Sequence, residues 1–263
     1  MTMNILVCVK TVPDLDMLSQ EDWQPDGLSV ETRFARLEWN CFDESALELA
    51  LRCSDSLEGR CTLTALTIGK SGSTALLKTL LALGFDRVVR IDPGETDLRF
   101  NPMAVAGEIA GFIRANPQDL ILLGSSASVG DNGQTPLILS EFLHLPCISR
   151  VVEIALDDQL LTLRSSVDGG FLEQVVKPPS VLSIGNAAVS HLRVPTLRDR
   201  MSMGKREIEV MEASSAASGQ DCELDALSAI DMSRGGEVIF GGSPEQMARR
   251  LYEQYLKEYL SRS

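Results

Sequence analysis

Short apolar runs alternate with segments of helical periodicity along the first 124 residues. Four runs have the composition of buried strands, and they occupy residues 5–9, 61–68, 88–91 and 120–124. Helices are predicted between them from Asp43, from Ser73 as a cap to Gly84, and from Asn101-Pro102 to Asn116. Because strands and helices alternate, we expect an α/β fold with a doubly wound, mostly parallel sheet.

The pattern changes after about residue 148. Residues 151–163 and 171–184 predict strands, and Asp168-Gly169-Gly170 between them predicts an inserted β-hairpin. Residues 213–221 are small and polar, as in a linker. A last helix is predicted from Ser243-Pro244, with Gln246 completing a capping box and an apolar stripe of Met247, Leu251, Tyr255 and Leu256. We therefore expect an α/β domain at 1–211, then a linker and a C-terminal helical arm at 212–263.

Composition narrows the functional class. The chain has 263 residues, 44% of them apolar, and a net charge of −13, which disfavours nucleic acids and anionic membrane surfaces. The sequence contains no apolar stretch of about 20 residues, so no membrane span is predicted. The N-terminus lacks signal-peptide features, so a cytoplasmic protein is expected. The six cysteines form no C-x-x-C pair and are predicted to be reduced thiols in the core.

The loop after the fourth strand is the strongest candidate site. It consists of Gly124, Ser125, Ser126, Ala127, Ser128, Val129, Gly130, Asp131, Asn132, Gly133, Gln134 and Thr135, followed by Pro136. Its glycines allow close approach to a ligand, and the helix predicted from Thr135 offers free N–H groups to a phosphate. An ordinary polar loop is the alternative, but doubly wound folds bind ligands at this position.

Three other motifs mainly exclude known nucleotide-binding signatures. Gly69-Lys70-Ser71 is not a Walker A motif, because Thr64 stands where that motif needs glycine. No strand is followed by G-x-G-x-x-G, so a dinucleotide dehydrogenase is not supported. Asn40-Cys41-Phe42-Asp43 begins a helix, and its polar residues are either simple caps or ligand contacts.

Taken in order, several segments resemble the electron transfer flavoprotein beta subunit. They are 5–14, Asn40-x-Phe42-x-Glu44-x-Ala46, 82–86, the loop 124–135, Arg164 with Asp168-Gly169-Gly170 and Glu173, 179–183, 193–197 and Lys205-Arg206. The chain departs from the family pattern at Leu15, Gly130-Asp131, Pro136 and the short basic pair at 205–206, and it adds one residue before Asp168. These departures suggest a divergent bacterial branch.

The resemblance implies a Rossmann-like, adenine nucleotide hydrolase-like domain and an arm that docks on a flavin-bearing alpha subunit. This chain would bind AMP, or a second FAD in electron-bifurcating members, and FAD would be shared with the alpha subunit. The implied nucleotide contacts are Cys8, Asn40, Cys41, Phe42, Asp43, Ile68 and residues 124–135. Phe42 would also approach the partner's flavin, and Leu197 would dock into client dehydrogenases.

The implied role is that of an electron carrier subunit and not an enzyme. It would relay electrons from a flavin-dependent dehydrogenase to a membrane or ferredoxin-type acceptor. The alternative is a stand-alone adenine-nucleotide-binding module of the universal stress protein type. An ATP pyrophosphatase is a weaker alternative, because residues 10–14 lack the S-G-G-x-D-S loop of that group.

Overall fold

A computed structural model describes residues 2–19, 21–58, 60–157, 160–187, 191–203, 205–214, 224–230, 236 and 238–260. The chain forms two compact units, Met1–Leu227 and Ser228–Ser263. The boundary predicted at 211/212 falls within the last strand of the larger unit, and the role of 212–263 as an arm stays a prediction.

The larger unit contains thirteen strands and five α-helices among its described residues. The strands are β1 (Met3–Cys8), β2 (Thr11–Pro13), β3 (Pro25–Asp26), β4 (Ser29–Val30), β5 (Leu37–Trp39), β6 (Cys61–Ile68), β7 (Arg87–Asp92), β8 (Leu120–Gly124), β9 (Cys147–Asp157), β10 (Leu160–Val167), β11 (Gly170–Val176), β12 (Ser180–Ile184) and β13 (Glu209–Glu212). The helices are α1 (Cys41–Ser56), α2 (Thr74–Leu83), α3 (Pro102–Ala115), α4 (Thr135–Leu143) and α5 (Leu197–Met203).

Nine strands form one sheet in the order β11-β10-β9-β12-β8-β1-β6-β7-β13. The strands from β9 to β13 in this order are parallel, and β10 and β11 extend one edge as antiparallel strands. From β1 the chain builds outward through β6 and β7, then returns to place β8 on the other side of β1. The strand order therefore reverses between β1 and β8, where connections to opposite faces leave a cleft.

Apolar side chains cover both faces of the sheet. Ile5 and Val7 belong to a cluster with α1 and α2, whereas Leu6 and Cys8 belong to a cluster with α3 and α4. Successive residues of a strand point to opposite faces, so a strand covered on both faces must be apolar throughout. This explains the uninterrupted apolar runs, and it confirms the predicted Rossmann-like α/β fold.

Two predicted strands in the second half are wrong in extent. Residues 151–163 belong to β9 and β10, which pair antiparallel with Leu161 opposite Leu156. Residues 171–184 belong to β11 and β12, separated by Lys177-Pro178-Pro179. Because proline has no N–H to donate to a neighbouring strand, the boundary between β11 and β12 could be predicted from the sequence. The boundary between β9 and β10 also has a sequence signal, because the polar run Asp157-Asp158-Gln159 interrupts the apolar pattern. The hairpin through Asp168-Gly169-Gly170 is confirmed.

Helix ends agree with the sequence in most cases. Asn101 accepts a hydrogen bond from the Ala104 N–H and caps α3, and Gly84 ends α2 with φ of 105°. Ser73 precedes α2 but makes no capping bond, because its hydroxyl donates to the Lys70 carbonyl. The cysteine prediction fails at one position, since Cys41 is exposed at the first residue of α1, ahead of the buried stripe of that helix. Cys222 lies outside the described residues.

The smaller unit contains α6 (Pro244–Leu251), a π-helical turn (Tyr252–Leu256) and α7 (Lys257–Leu260). The capping box is confirmed, with Ser243 accepting from the Gln246 N–H and the Gln246 side chain accepting from the Ser243 N–H. Leu251, Tyr255 and Leu256 of the apolar stripe are exposed. The predicted linker starts at Ala213 and Ser214, and its remainder lies outside the described residues. Among the described helices, none is long and apolar enough to cross a membrane.

Gly84→Ala should lower the free energy of unfolding by about 1–2 kcal/mol, because alanine is strained at positive φ. Gly111→Ala is the matched control, since Gly111 lies on the exposed side of α3 and has no heavy atom within 4 Å of an added Cβ. It should stabilise the protein by about 0.5–1 kcal/mol through helix propensity. Urea unfolding of the full-length protein measures both, and equal effects would contradict the assignment of Gly84 as an obligatory left-handed cap.

Candidate functional site

A cleft of about 510 Å³ opens at the carboxyl ends of the central strands. Its floor is formed by the ends of β1, β6 and β8, where the strand order reverses. Its walls come from residues 93–99, the start of α3 and the loop between β8 and α4. One part of the lining is apolar, and it consists of Cys8, Leu66, Ile68, Val105, Ile109 and Leu123. Lys10, Asp43, Lys70 and the loop from β8 to α4 add polar groups to the lining, so the cleft suits a ligand with one apolar and one polar part.

Asp43 joins the two strands at which the order reverses. It lies in the first turn of α1 and is 5% exposed. Its Oδ2 accepts from the Lys10 N–H at 2.8 Å, just after β1, and its Oδ1 accepts from the Gly124 N–H at 2.9 Å, at the end of β8. One carboxylate thus satisfies both backbone donors where the strands separate, and it sets the width of the cleft floor.

Asn40 fixes the loop that follows β8. Its Nδ2 donates to the Ser126 carbonyl at 2.8 Å, and its Oδ1 accepts from the Ser128 N–H at 3.3 Å. Asn40 occupies the N-cap position of α1, but its side chain makes no capping bond there. Asn40 and Asp43 therefore brace the cleft and are not simple helix caps, and their contact with a ligand stays a prediction.

The charges at the cleft floor are strongly perturbed. Burial raises the pKa of Asp43 to about 7, although the hydrogen bonds from Lys10 and Gly124 oppose this rise. Burial also lowers the pKa of Lys10, and the nearby Asp43 opposes that change. Lys10 Nζ donates to the Val129 carbonyl at 2.7 Å, so it bridges the cleft floor and the loop. The site therefore contains a carboxyl group that titrates near neutral pH.

Gly124 must be glycine for steric reasons. A Cβ at this position would lie 2.3 Å from Asp43 Oδ1, 2.9 Å from Phe42 Cβ and 3.2 Å from Asn40 Nδ2. No relaxation of a flexible side-chain tip can relieve all three contacts, because the same residues hold the strand ends and the loop. The close approach of α1 to β8 thus depends on this glycine.

The loop from β8 to α4 is held by its own polar side chains. Positive φ values occur at Gly130 (92°), Asp131 (35°) and Gly133 (62°). The Ser126 hydroxyl donates to the Asp131 carboxylate, and Asn132 Oδ1 accepts from the Gln134 N–H at 2.9 Å. These bonds turn the chain sharply into α4, whose first residues face the cleft.

The N-terminus of α4 is free to receive an anion. Thr135 and Pro136 line the cleft, Gln134 occupies the N-cap position, and no side chain caps the helix. Free N–H groups and the helix dipole favour a negatively charged group at such an end. The side-chain charges around the cleft are mixed, since Lys70 faces Glu95 at 3.9 Å and Arg99 pairs with Asp97. The backbone donors of α4 are therefore one set of anion-binding groups, beside the cationic side chains of Lys10, Lys70 and Arg99.

Most residues expected at the site do line the cleft. They are Cys8, Asp43, Ile68, Gly124, Ser125, Ser126, Ala127, Val129, Asp131, Asn132, Gly133 and Thr135. Six others do not: Asn40, Cys41, Phe42, Ser128, Gly130 and Gln134. Among these, Asn40 accepts a hydrogen bond from the Ser128 N–H of the loop, and Cys41 is exposed. Ligand contacts at all these positions stay a prediction.

Sequence reasoning missed several groups that line the cleft. Lys10 was detectable, because it directly follows β1 at the edge where ligands bind. Residues 93–99 and the start of α3 carry no local signal, and they reach the cleft only because β7 lies two strands from β1. Leu197 lies outside this set of lining residues, at the exposed first position of α5.

The titration of Asp43 should make stability depend on pH. The folded state keeps a proton on Asp43 up to pH about 7, whereas the ordinary pKa is 3.8. The contribution of this group is complete below pH 3.8 and is lost as the pH rises through the folded value. Relative to Asp43→Asn, the wild type should lose up to about 1.4 kcal/mol per pH unit between pH 3.8 and pH 7, and little outside this interval. Urea unfolding at several pH values measures the difference, and a gap that is constant with pH would contradict this account.

Comparison with known proteins identifies the family. The family model described as "Electron transfer flavoprotein domain" matches residues 29–216. YgcR of Escherichia coli (strain K12), which carries the name of an electron transfer flavoprotein subunit, is 33% identical over 97% of this chain and 98% of its own length. The electron transfer flavoprotein subunit beta of Homo sapiens is 27% identical over 95% of this chain and 97% of its own. The Dictyostelium discoideum subunit beta is 26% identical over 87% and 88%.

The matched region contains the helix that braces the cleft, the loop from β8 to α4, and the segment that carries Leu197. The chain therefore belongs to the electron transfer flavoprotein family, as a protein similar to its beta subunits.

Proposed function

We propose that this chain is the beta subunit of a heterodimeric electron transfer flavoprotein and that its cleft binds an adenylate group. The adenylate is either AMP itself or the AMP half of a second FAD. Family membership supports the subunit role, and it argues against a stand-alone module of the universal stress protein type. The observation that carries the nucleotide proposal is the cleft at the β1/β8 reversal, with the uncapped N-terminus of α4 on its polar side.

The lining of the cleft fits the two chemical parts of an adenylate. Cys8, Leu66 and Ile68 lie on strand ends and offer apolar contact to a base. Burial raises the pKa of the Cys8 thiol far above its usual range, so Cys8 is an apolar contact and not a nucleophile. At the other end, Thr135 begins a helix whose N–H groups suit a phosphate. Asp43 and Asn40 would hold these two parts at a fixed separation.

The flavin of the complete protein supplies the redox chemistry, and the protein positions and tunes it. In this chain, α1 is the element that joins the nucleotide cleft to the surface. Its first turn braces the cleft through Asp43, and Phe42 beside it is half-buried. We place Phe42 next to the flavin of the alpha subunit, so that a bound nucleotide would stiffen the wall behind that flavin.

Two exposed apolar features would contact other proteins. In the smaller unit, Leu251, Tyr255 and Leu256 follow the helical spacing of α6 and its continuation, and all are exposed. We assign this stripe to contact with the alpha subunit, in agreement with an arm at 212–263. In the larger unit, Leu197 is exposed on α5, and we assign it to a pocket on a client flavin-dependent dehydrogenase.

Gly124→Ala should remove the nucleotide from the heterodimer. The new methyl group would push Asp43 and Asn40 away from β8, which would open the cleft floor. Gly69→Ala is the matched control, because Gly69 also lines the cleft but has no heavy atom within 4 Å of an added Cβ. Nucleotide released on denaturation, counted per heterodimer, should fall at least about tenfold in Gly124→Ala and stay near the wild-type value in Gly69→Ala. Full retention in Gly124→Ala would contradict the role of the clamp.

Leu197→Ala should slow electron transfer from a client dehydrogenase without loss of flavin. A panel of purified flavin-dependent dehydrogenases, each reduced by its own substrate, identifies one that reduces the wild-type heterodimer. With that donor, kcat/KM should fall about tenfold, because a buried anchor contributes a large share of a contact. Leu160→Ala truncates another exposed leucine and should change little. Unchanged transfer in Leu197→Ala would remove the docking assignment.

A further inference from the structure

The segment that carries Leu197 is fastened to α1 by one arginine. We call residues 192–203 the docking segment; it comprises the strap 192–196 and α5. Arg193 Nη2 donates to Glu48 Oε1 at 2.9 Å, and its Nε reaches both Glu48 oxygens at 3.1 and 3.2 Å. Its Nη1 donates to Asp55 Oδ2 at 2.9 Å. The Arg193 backbone N–H also donates to Glu48 at 3.1 Å.

Glu48 is an unusual residue for a surface ion pair. It lies on the same helix as Asp43 and is 4% exposed, so its charge is largely removed from water. Burial alone would raise the pKa of Glu48, but the hydrogen bonds and charge of Arg193 outweigh it and hold the pKa below its usual value. A buried carboxylate that loses such a partner is costly. The pair therefore resists opening more than an exposed ion pair would.

Apolar contacts fix the two ends of the docking segment. Leu192 and Met203 are partly buried and pack on the core cluster that includes α1 and α2. Between them, Thr196 accepts from the Asp199 N–H at 3.2 Å and stabilises the first turn of α5. Leu192 and Met203 thus hold the two ends of the segment on the core, and Thr196 orders the start of its helix.

Three apolar side chains remain on the outside of this fixed segment. Val194, Leu197 and Met201 are 77%, 74% and 71% exposed. Leu197 and Met201 are four residues apart on α5 and share one face of that helix, whereas Val194 precedes the helix in the strap. Together they extend the single anchor Leu197 into an apolar row. An exposed apolar row on a rigid support is typical of a binding surface.

The surrounding charge indicates what this row meets. Residues 192–206 contain five basic side chains and one acidic one, in a chain whose net charge is −13. The basic residues are Arg193, Arg198, Arg200, Lys205 and Arg206. Because Glu48 and Asp55 neutralise Arg193, the positive surface is formed by Arg198, Arg200, Lys205 and Arg206. On a negative protein, such a surface favours an acidic partner and speeds its encounter.

We propose that Arg193 is a positioning residue for docking, which acts by holding the docking segment on α1 through Glu48 and Asp55. The partner surface is an apolar pocket with an acidic rim on the client dehydrogenase, and it receives Val194, Leu197 and Met201 together. This inference rests on the docking role proposed for Leu197 and adds its support and the chemistry of its partner. Holding the row in one conformation raises affinity, because less freedom is lost on binding.

Kinetics of the full heterodimer test the proposal, with the reduced dehydrogenase from the Leu197 experiment as electron donor. Arg193→Gln should raise KM for the heterodimer about tenfold and leave kcat within about twofold, because only docking is weakened. Arg193→Lys should lie between, since a lysine cannot span both carboxylates. Arg52→Gln is the matched control: Arg52 also contacts Glu48, at 3.3 Å, but lies outside the docking segment. The wild-type KM should rise with ionic strength.

Hydrogen exchange of the free heterodimer separates the clamp from the docking function. Exchange within residues 192–203 should be faster in Arg193→Gln than in the wild type, while strand β8 exchanges at the wild-type rate. An unchanged KM, or unchanged exchange in the segment, would overturn the positioning role. A KM that does not rise with salt would overturn the acidic rim. If no dehydrogenase reduces the wild type but the variant still exchanges faster, the clamp stands and the proposed docking function fails.

Discussion

A single buried carboxylate determines the geometry on which this structure depends. At the point where the strand order reverses, the backbone N–H groups of Lys10 and Gly124 both donate to the Asp43 side chain. Without this bridge, two strand ends would keep unpaired donors beside an apolar core. Because α1 lies so close to the end of β8, only glycine fits at residue 124.

Helix α1 contacts both the nucleotide cleft and the docking segment. Its first turn braces the nucleotide cleft through Asp43, and its later turns hold the docking segment through Glu48 and Asp55. A rigid helix is a physical connection between the two sites, because displacement of one end displaces the other. The beta subunit can therefore contribute to electron transfer without carrying redox chemistry on its own side chains, by positioning surfaces around a flavin.

Local sequence signals were sufficient for the central sheet and its helices. Buried strands covered on both faces produce long apolar runs, and residues such as Asn101 and Gly84 mark helix ends. The loop from β8 to α4 could also be identified, because its glycines and the Thr135-Pro136 helix start follow a buried strand. Its supports could not, since Asn40 and Ser126 are 86 residues apart and meet only through topology. The ion pair of Arg193 with Glu48 spans 145 residues and has no local signature.

The central claim is that this subunit holds an adenylate in the cleft braced by Asp43. Co-expression of the wild-type chain with its alpha subunit, followed by counting of the flavin and adenylate released per heterodimer, tests it most directly. The account predicts one adenylate beyond that of the shared FAD, seen either as one AMP or as a second FAD. A fully active heterodimer that contains one FAD and no other adenylate would contradict it.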